Sequence, residues 1–143
     1  MVGVSYGAFA LANAAPQLPW VRSIALESPY PNFNAWYPGG VQRAAIELFD
    51  RAFPRSARYA QADRNIARAL PERILVCLAE DDDVTPPDLT AAVARAAPQG
   101  RTTLVRVPRA KHLEPFAKSE EYRRALLRCW RAGRAMAPTS LAS

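Results

Sequence analysis

Cysteine and histidine are scarce: two cysteines and one histidine stand among 143 residues, too few for a disulfide framework or for the Cys/His clusters that hold structural zinc. Cys77 lies in an apolar strand-like run and Cys129 on the apolar stripe of the last helix, so both read as small buried thiols. A reducing, cytoplasmic compartment is the expectation. No stretch approaches the ~20 consecutive apolar residues that a membrane span requires, so no membrane partner is expected. Met1 to Pro16 is fairly apolar, but it has no basic leader and Gly3, Ser5, Tyr6 and Gly7 interrupt it, which argues against a signal peptide. Internal repeats are missing too, and residues 135–143 carry neither period nor charge and are expected to fray.

What is present is ordinary for a globular chain: 50% hydrophobic and 22% charged residues, at a length suited to one domain. The net charge of +6 is less general than it looks. Nine basic and three acidic residues fall between Arg106 and Arg134, and the rest of the chain is neutral. There Arg123, Arg124, Arg128, Arg131 and Arg134 alternate with Tyr122, Leu126, Cys129 and Trp130 at helical spacing. That pattern is a solvated basic face opposite a buried apolar stripe, and no stacking platform for nucleic acid accompanies it. An anion-binding role for this helix is the alternative, with salt-sensitive retention on heparin as its sign.

Three short apolar runs rich in β-branched residues read as strands: Val21 to Leu26, Ile74 to Leu78 and Thr103 to Val107. Helical patterns occupy Ala8 to Ala15, Val41 to Phe53, Pro87 to Ala97 and Ser119 to Ala132. Alternation of this kind predicts an α/β fold of parallel strands joined by helical crossovers. Thr85-Pro86-Pro87-Asp88 supplies an N-cap hydroxyl and a proline for the start of the third helix, which leaves Asp82 in a tight loop between strand and helix. Residues 29–70 are broken by Pro29, Pro31, Pro38, Gly39, Gly40 and Pro54, and read as a cap-like excursion above the sheet.

Gly3-Val4-Ser5-Tyr6-Gly7 fits G-x-S-x-G and runs into Ala8, Ala10 and Ala12. A serine on a sharp strand-to-helix turn sits in a strained backbone, and small neighbours on both sides let the two backbones close. Asp82 follows the strongest strand, at the carboxyl end where α/β sites assemble, with Asp81 and Asp83 competing for the same role. His112, the one histidine, follows the third run in Val107-Pro108-Arg109-Ala110-Lys111-His112. The order Ser5, Asp82, His112 is nucleophile, acid, base, each beyond a strand end.

On these motifs the chain resembles the α/β-hydrolase superfamily. Gly3 to Ala8 resembles its nucleophile elbow, Ile74 to Pro86 its acid-bearing strand and loop, and Val107 to His112 its histidine loop. Ala25-Leu26-Glu27-Ser28-Pro29 is similar to the serine-hydrolase branch related to dienelactone hydrolases, while Ala79 replaces a glycine common before the acid loop. The resemblance implies a partial domain over residues 1–134: the C-terminal half of the fold, with about three parallel strands, flanking helices, and the N-terminal strands missing. It also implies hydrolysis of a small ester or thioester acyl substrate without cofactor or metal. Ser5 would be the nucleophile, His112 the general base and Asp82 the acid that orients it, with the Tyr6 backbone N–H as one oxyanion donor. The second donor, from a loop upstream of the elbow, has no counterpart, and loss of such a donor costs about 2.7–4 kcal/mol. Phe33, Trp36 and Tyr37, with Phe49, are candidates to line an acyl pocket, in competition with simple core packing. The alternative function is a non-catalytic remnant or interaction module, self-associating through an exposed sheet edge.

Overall fold

The computed structural model describes residues 1–37, 39–54 and 60–134, and the side chains up to residue 131. The tail from 135 to 143, Pro38, the Arg134 side chain and positions 55–59 of the 29–70 segment lie outside the described residues. Four parallel strands form one sheet in the order β1-β2-β3-β4: β1 (Val2–Val4), β2 (Ser23–Glu27), β3 (Arg73–Ala79) and β4 (Thr102–Val107). Three of these are the apolar runs of the sequence. The fourth, β1, is too short for any periodicity to show, and pairing alone makes it a strand: Val2 opposite Ala25 and Val4 opposite Glu27.

Helices cover both faces. On one face lie α1 (Tyr6–Ala14), α4 (Ala62–Ile66) and α5 (Pro87–Ala96), where Ala8, Leu11, Ile66 and Val93 close over Ile24, Leu26, Ile74 and Val76. On the other lies α7 (Glu120–Arg134), whose Tyr122 and Ala125 pack on Ala25, Leu75, Cys77 and Val105. All of β2 and all of β3 except Arg73 are buried, which is why both read as unbroken apolar runs. β1 and β4 stand at the two edges and bury fewer positions. Between β2 and β3 the chain forms α2 (Phe33–Trp36), α3 (Gly40–Ala52) and α4; α6 (Pro115–Lys118) is one turn before α7.

Two local expectations fail. Thr85 does not cap α5: Pro86 takes the N-cap position, and the Thr85 hydroxyl is buried with no partner among the described residues. Its backbone N–H is drawn instead to the Asp82 carboxylate at 2.8 Å, which turns the threonine away from the helix end. Trp130 was expected on the buried stripe of α7 but is 60% exposed, because α7 reaches past the last strand it covers toward the open β1 edge. Tyr122, Leu126 and Cys129 pack against the sheet as expected.

Parallel strands bring all their carboxyl ends to one side of the sheet. Ser5 follows β1 there, Ser28 follows β2, the 80–86 loop follows β3 and the 108–114 loop follows β4. Among the described residues, the non-glycine positions with positive φ are Ser5, Ser28, Arg109 and Leu113, all on this side. Such backbones persist where surrounding structure over-determines them, and they concentrate at functional sites.

Candidate functional site

The turn from β1 into α1 raises Ser5 above the sheet. Its φ of 52° is unfavourable for a side-chain-bearing residue, and two backbone hydrogen bonds fix it. The Ser5 N–H donates to the Glu27 carbonyl at 2.8 Å, and the Ser5 carbonyl accepts from the Phe9 N–H at 3.0 Å. The two motif glycines are not equivalent here. A Cβ on Gly3 would stand 2.5 Å from the Gly7 carbonyl oxygen, so only glycine lets the strand pass under the helix start. A Cβ on Gly7 would meet nothing within 4 Å, and the expectation that both sides need small residues holds only for Gly3.

Asp82 is the inward member of its acidic triplet, 5% exposed while Asp81 and Asp83 face solvent. Its Oδ1 accepts from the N–H groups of Val84 (3.0 Å) and Thr85 (2.8 Å), and its Oδ2 accepts the Ser28 hydroxyl at 2.8 Å. Burial pushes the Asp82 carboxyl up. Hydrogen bonds from Thr85, His112, Ser28 and Val84 outweigh it and hold the group below the ordinary aspartate value. Asp82 is therefore an acceptor at neutral pH.

His112 is delivered by a loop pinned at both ends. The Asp81 N–H donates to the Ala110 carbonyl at 3.0 Å and the Glu80 N–H to the Val107 carbonyl at 3.1 Å, stitching the loop to the acid-bearing one. Lys118 donates to the carbonyl of positive-φ Arg109 at 2.9 Å and pairs with Glu114, which accepts the Lys111 N–H. The imidazole then lies between the other two groups. Nδ1 is 2.9 and 3.0 Å from the Asp82 oxygens, and Nε2 is 2.9 Å from Ser5 Oγ. Because an ionised carboxylate can only accept, Nδ1 carries the proton, and Nε2 is left to accept the serine hydroxyl. Exposure rises along the line, from 1% for the Asp82 side chain to 12% for that of His112.

Tyr6, next to Ser5, opens α1, and its N–H meets no acceptor among the described residues. Its ring lies 6.3 Å from Phe33, in an aromatic stack that continues through Phe9, Tyr30 and Trp36. Phe33, Trp36 and Tyr37 are half-buried, Trp36 stacks against Tyr30 and meets Tyr37 at a tilt, and Trp36 Nε1 donates to the Val84 carbonyl in the acid loop at 2.8 Å. Phe49 does not join them. It pairs with Phe53 at 4.9 Å on the exposed side of α3.

Two residues near the site figure in the sequence motifs only as part of Ala25-Leu26-Glu27-Ser28-Pro29, with no role assigned to either. Ser28, just past β2, reaches Asp82 from 54 positions away. Glu27, buried at the end of β2, accepts the hydroxyl of Tyr122 from α7; burial raises its carboxyl, against the Tyr122 hydrogen bond and the nearby His112. A polar dipeptide closing an apolar strand is the physical cue the sequence offers for them.

A parallel sheet covered on both faces, an elbow serine after β1, and an acid and a histidine beyond β3 and β4 define an α/β-hydrolase fold, present in part. No family model matches the sequence, and no curated protein matches it. Among solved structures it is similar to a monoacylglycerol lipase from Paleococcus ferrophilus, with TM-score 0.66 and 15% identity over 89% of this chain and 65% of that one. It is likewise similar to acetyl xylan esterase 1 from a Thermoanaerobacterium species, with TM-score 0.64 and 19% identity over 90% of this chain and 43% of that one. A meta-cleavage product hydrolase from Pseudomonas fluorescens has TM-score 0.62 and 16% identity, over 92% of this chain and 64% of that one. The chain spans less than two thirds of the length of each. No helix among the described residues is long and apolar enough to cross a membrane.

Proposed function

We propose that this chain carries the catalytic triad of a serine hydrolase that cleaves small ester or thioester substrates through an acyl-enzyme. The observation that carries the reading is the unbroken relay from Ser5 Oγ through His112 to a buried, ionised Asp82. In the first half-reaction Nε2 takes the Ser5 proton as Oγ bonds to the carbonyl carbon, giving a tetrahedral oxyanion. The free Tyr6 N–H, at the positive end of α1, is the donor on hand for that charge. The imidazolium, stabilised by Asp82, then returns its proton to the departing alcohol or thiol, leaving the acyl group on Ser5. Water repeats the sequence and frees the acid. Tyr6 and Phe33, whose rings stand 6.3 Å apart, would offer apolar surface to an acyl chain, and the ring cluster continues to Trp36 and Tyr37. No step needs a metal or cofactor. Turnover of short-chain p-nitrophenyl esters, lost in Ser5→Ala, is the expected result; equal turnover by Ser5→Ala overturns it.

A second reading is favoured by one observation. Among the described residues the outer side of β1 has no partner strand, and beside it lies a cavity of about 380 Å³ lined by Met1, Val2, Ala25, Leu126, Leu127 and Trp130. We propose that a second copy of the chain pairs along this edge.

A further inference from the structure

His112 is not the only side chain that fixes Asp82. Ser28 is 1% exposed, donates its hydroxyl to Asp82 Oδ2 at 2.8 Å, and has a backbone φ of 50°. Its own N–H donates to the Cys77 carbonyl of β3 at 3.0 Å, and the carbonyl of Glu27 before it accepts the Ser5 N–H at 2.8 Å. The Glu27-Ser28 dipeptide therefore holds the relay at both ends: the nucleophile through the main chain, the acid through a side chain. Glycine adopts such a φ freely, whereas serine is strained there, so the residue type is explained by its hydroxyl and not by its backbone.

The torsion that orients a carboxylate is soft, and a single contact does not fix it. Val84 and Thr85 pin Oδ1 from the loop itself. Ser28 is the one described donor besides His112 on Oδ2. With both oxygens held, each faces Nδ1 at nearly equal distance. The charged groups around the carboxylate are His112 from the β4–α6 loop, Glu27 from β2 with the Tyr122 hydroxyl of α7 upon it, and the flanking Asp81 and Asp83. None of these donates a hydrogen bond to Oδ2 in place of Ser28 except His112 itself.

We propose that Ser28 is a positioning residue of the relay: its hydroxyl, donated to Oδ2, locks the rotation of the Asp82 carboxylate opposite His112 and adds one hydrogen bond to its negative charge. The kinetic consequence rests on the serine-hydrolase reading, whereas the electrostatic one does not.

Two variants separate the hydroxyl from the backbone. Ser28→Ala loses the hydroxyl and keeps the strain, while Ser28→Gly loses the hydroxyl and relieves it. The side-chain carboxyl carbon of Asp82 is followed by NMR through an acid titration in the parent and both variants. Its midpoint is expected to rise in both, and an unchanged midpoint in a folded Ser28→Gly chain overturns the proposal. In parallel, the rate at which a fluorophosphonate modifies Ser5 is expected to fall about tenfold in both variants, the scale of one hydrogen bond to a charged group. Equal rates in a folded variant also overturn it. A parent chain that takes no probe at all overturns the serine-hydrolase reading instead, and the titration then decides the role of Ser28.

Discussion

Gly3 and Gly7 stand on either side of Ser5, yet the space around them differs. Gly3→Ala places a methyl against the Gly7 carbonyl at 2.5 Å, backbone that cannot move without opening the elbow. A loss of about 1–3 kcal/mol is expected, read by denaturant unfolding. Gly7→Ala meets open space in the first turn of α1, so stability should hold or rise, by up to about 1 kcal/mol from helix propensity. Equal losses in the two variants would contradict this account of the turn. Glu27 offers a pH test. Burial raises its folded-state pKa above the ordinary 4.5, so its contribution to stability is complete below that value and is lost as pH rises through the folded pKa. Asp82 runs the other way: its pKa is depressed below the ordinary 3.8, and its contribution, present above that value, is lost as pH falls through the folded pKa. Glu27→Gln removes only the first effect. The melting temperature of Glu27→Gln minus that of the parent should therefore grow more positive between about pH 4 and about pH 8. A difference that does not change with pH would contradict it.

At the scale of elements, legibility follows burial. β2 and β3 could be read because sheet interiors need apolar residues in succession, and the edge strand β4 because Thr102, Thr103, Val105 and Val107 are β-branched. β1 could not, since three residues carry no period and only the ladder to β2 defines them. α2 and α4, of four and five residues, are likewise below the length at which a helical pattern shows. The relay was legible because Gly3-Val4-Ser5-Tyr6-Gly7 marks the serine by motif, while Asp82 and His112 each follow a readable strand, in one order. Ser28 was not, because a serine before proline reads as a turn and its partner lies 54 positions away. α3 illustrates a pattern without its usual consequence: Val41, Leu48 and Phe49 follow helical spacing, yet no residue of the helix is buried. Leu48→Ala should alter stability by no more than about 0.5 kcal/mol. Leu26→Ala, fully buried in β2, should cost about 2–5 kcal/mol, and chemical denaturation of both variants compares them directly.

Seen whole, the described residues form a sheet covered on two faces, with β1 and β4 at its edges and β1 flanked by an apolar groove. Val2 is 58% exposed on β1, and the groove beside it runs to Trp130. Unpaired strand edges with apolar flanks recruit further strands. Sedimentation velocity over a range of concentrations should show a species larger than the monomer, which Val2→Lys suppresses; a monomer at every concentration would contradict edge pairing. The basic surplus adds little to that picture, since Arg123 and Arg124 on α7 are engaged by Glu120. The candidate site lies on the carboxyl side of the sheet, where residues beyond β1, β3 and β4 place Ser5, Asp82 and His112 in one hydrogen-bonded line. The most direct measurement is modification of the chain by a fluorophosphonate, located by peptide mass spectrometry. One adduct on Ser5 is expected, lost in Ser5→Ala and slowed by orders of magnitude in His112→Ala. An adduct spread over other serines, or one on Ser5 that forms equally fast without His112, would contradict the relay.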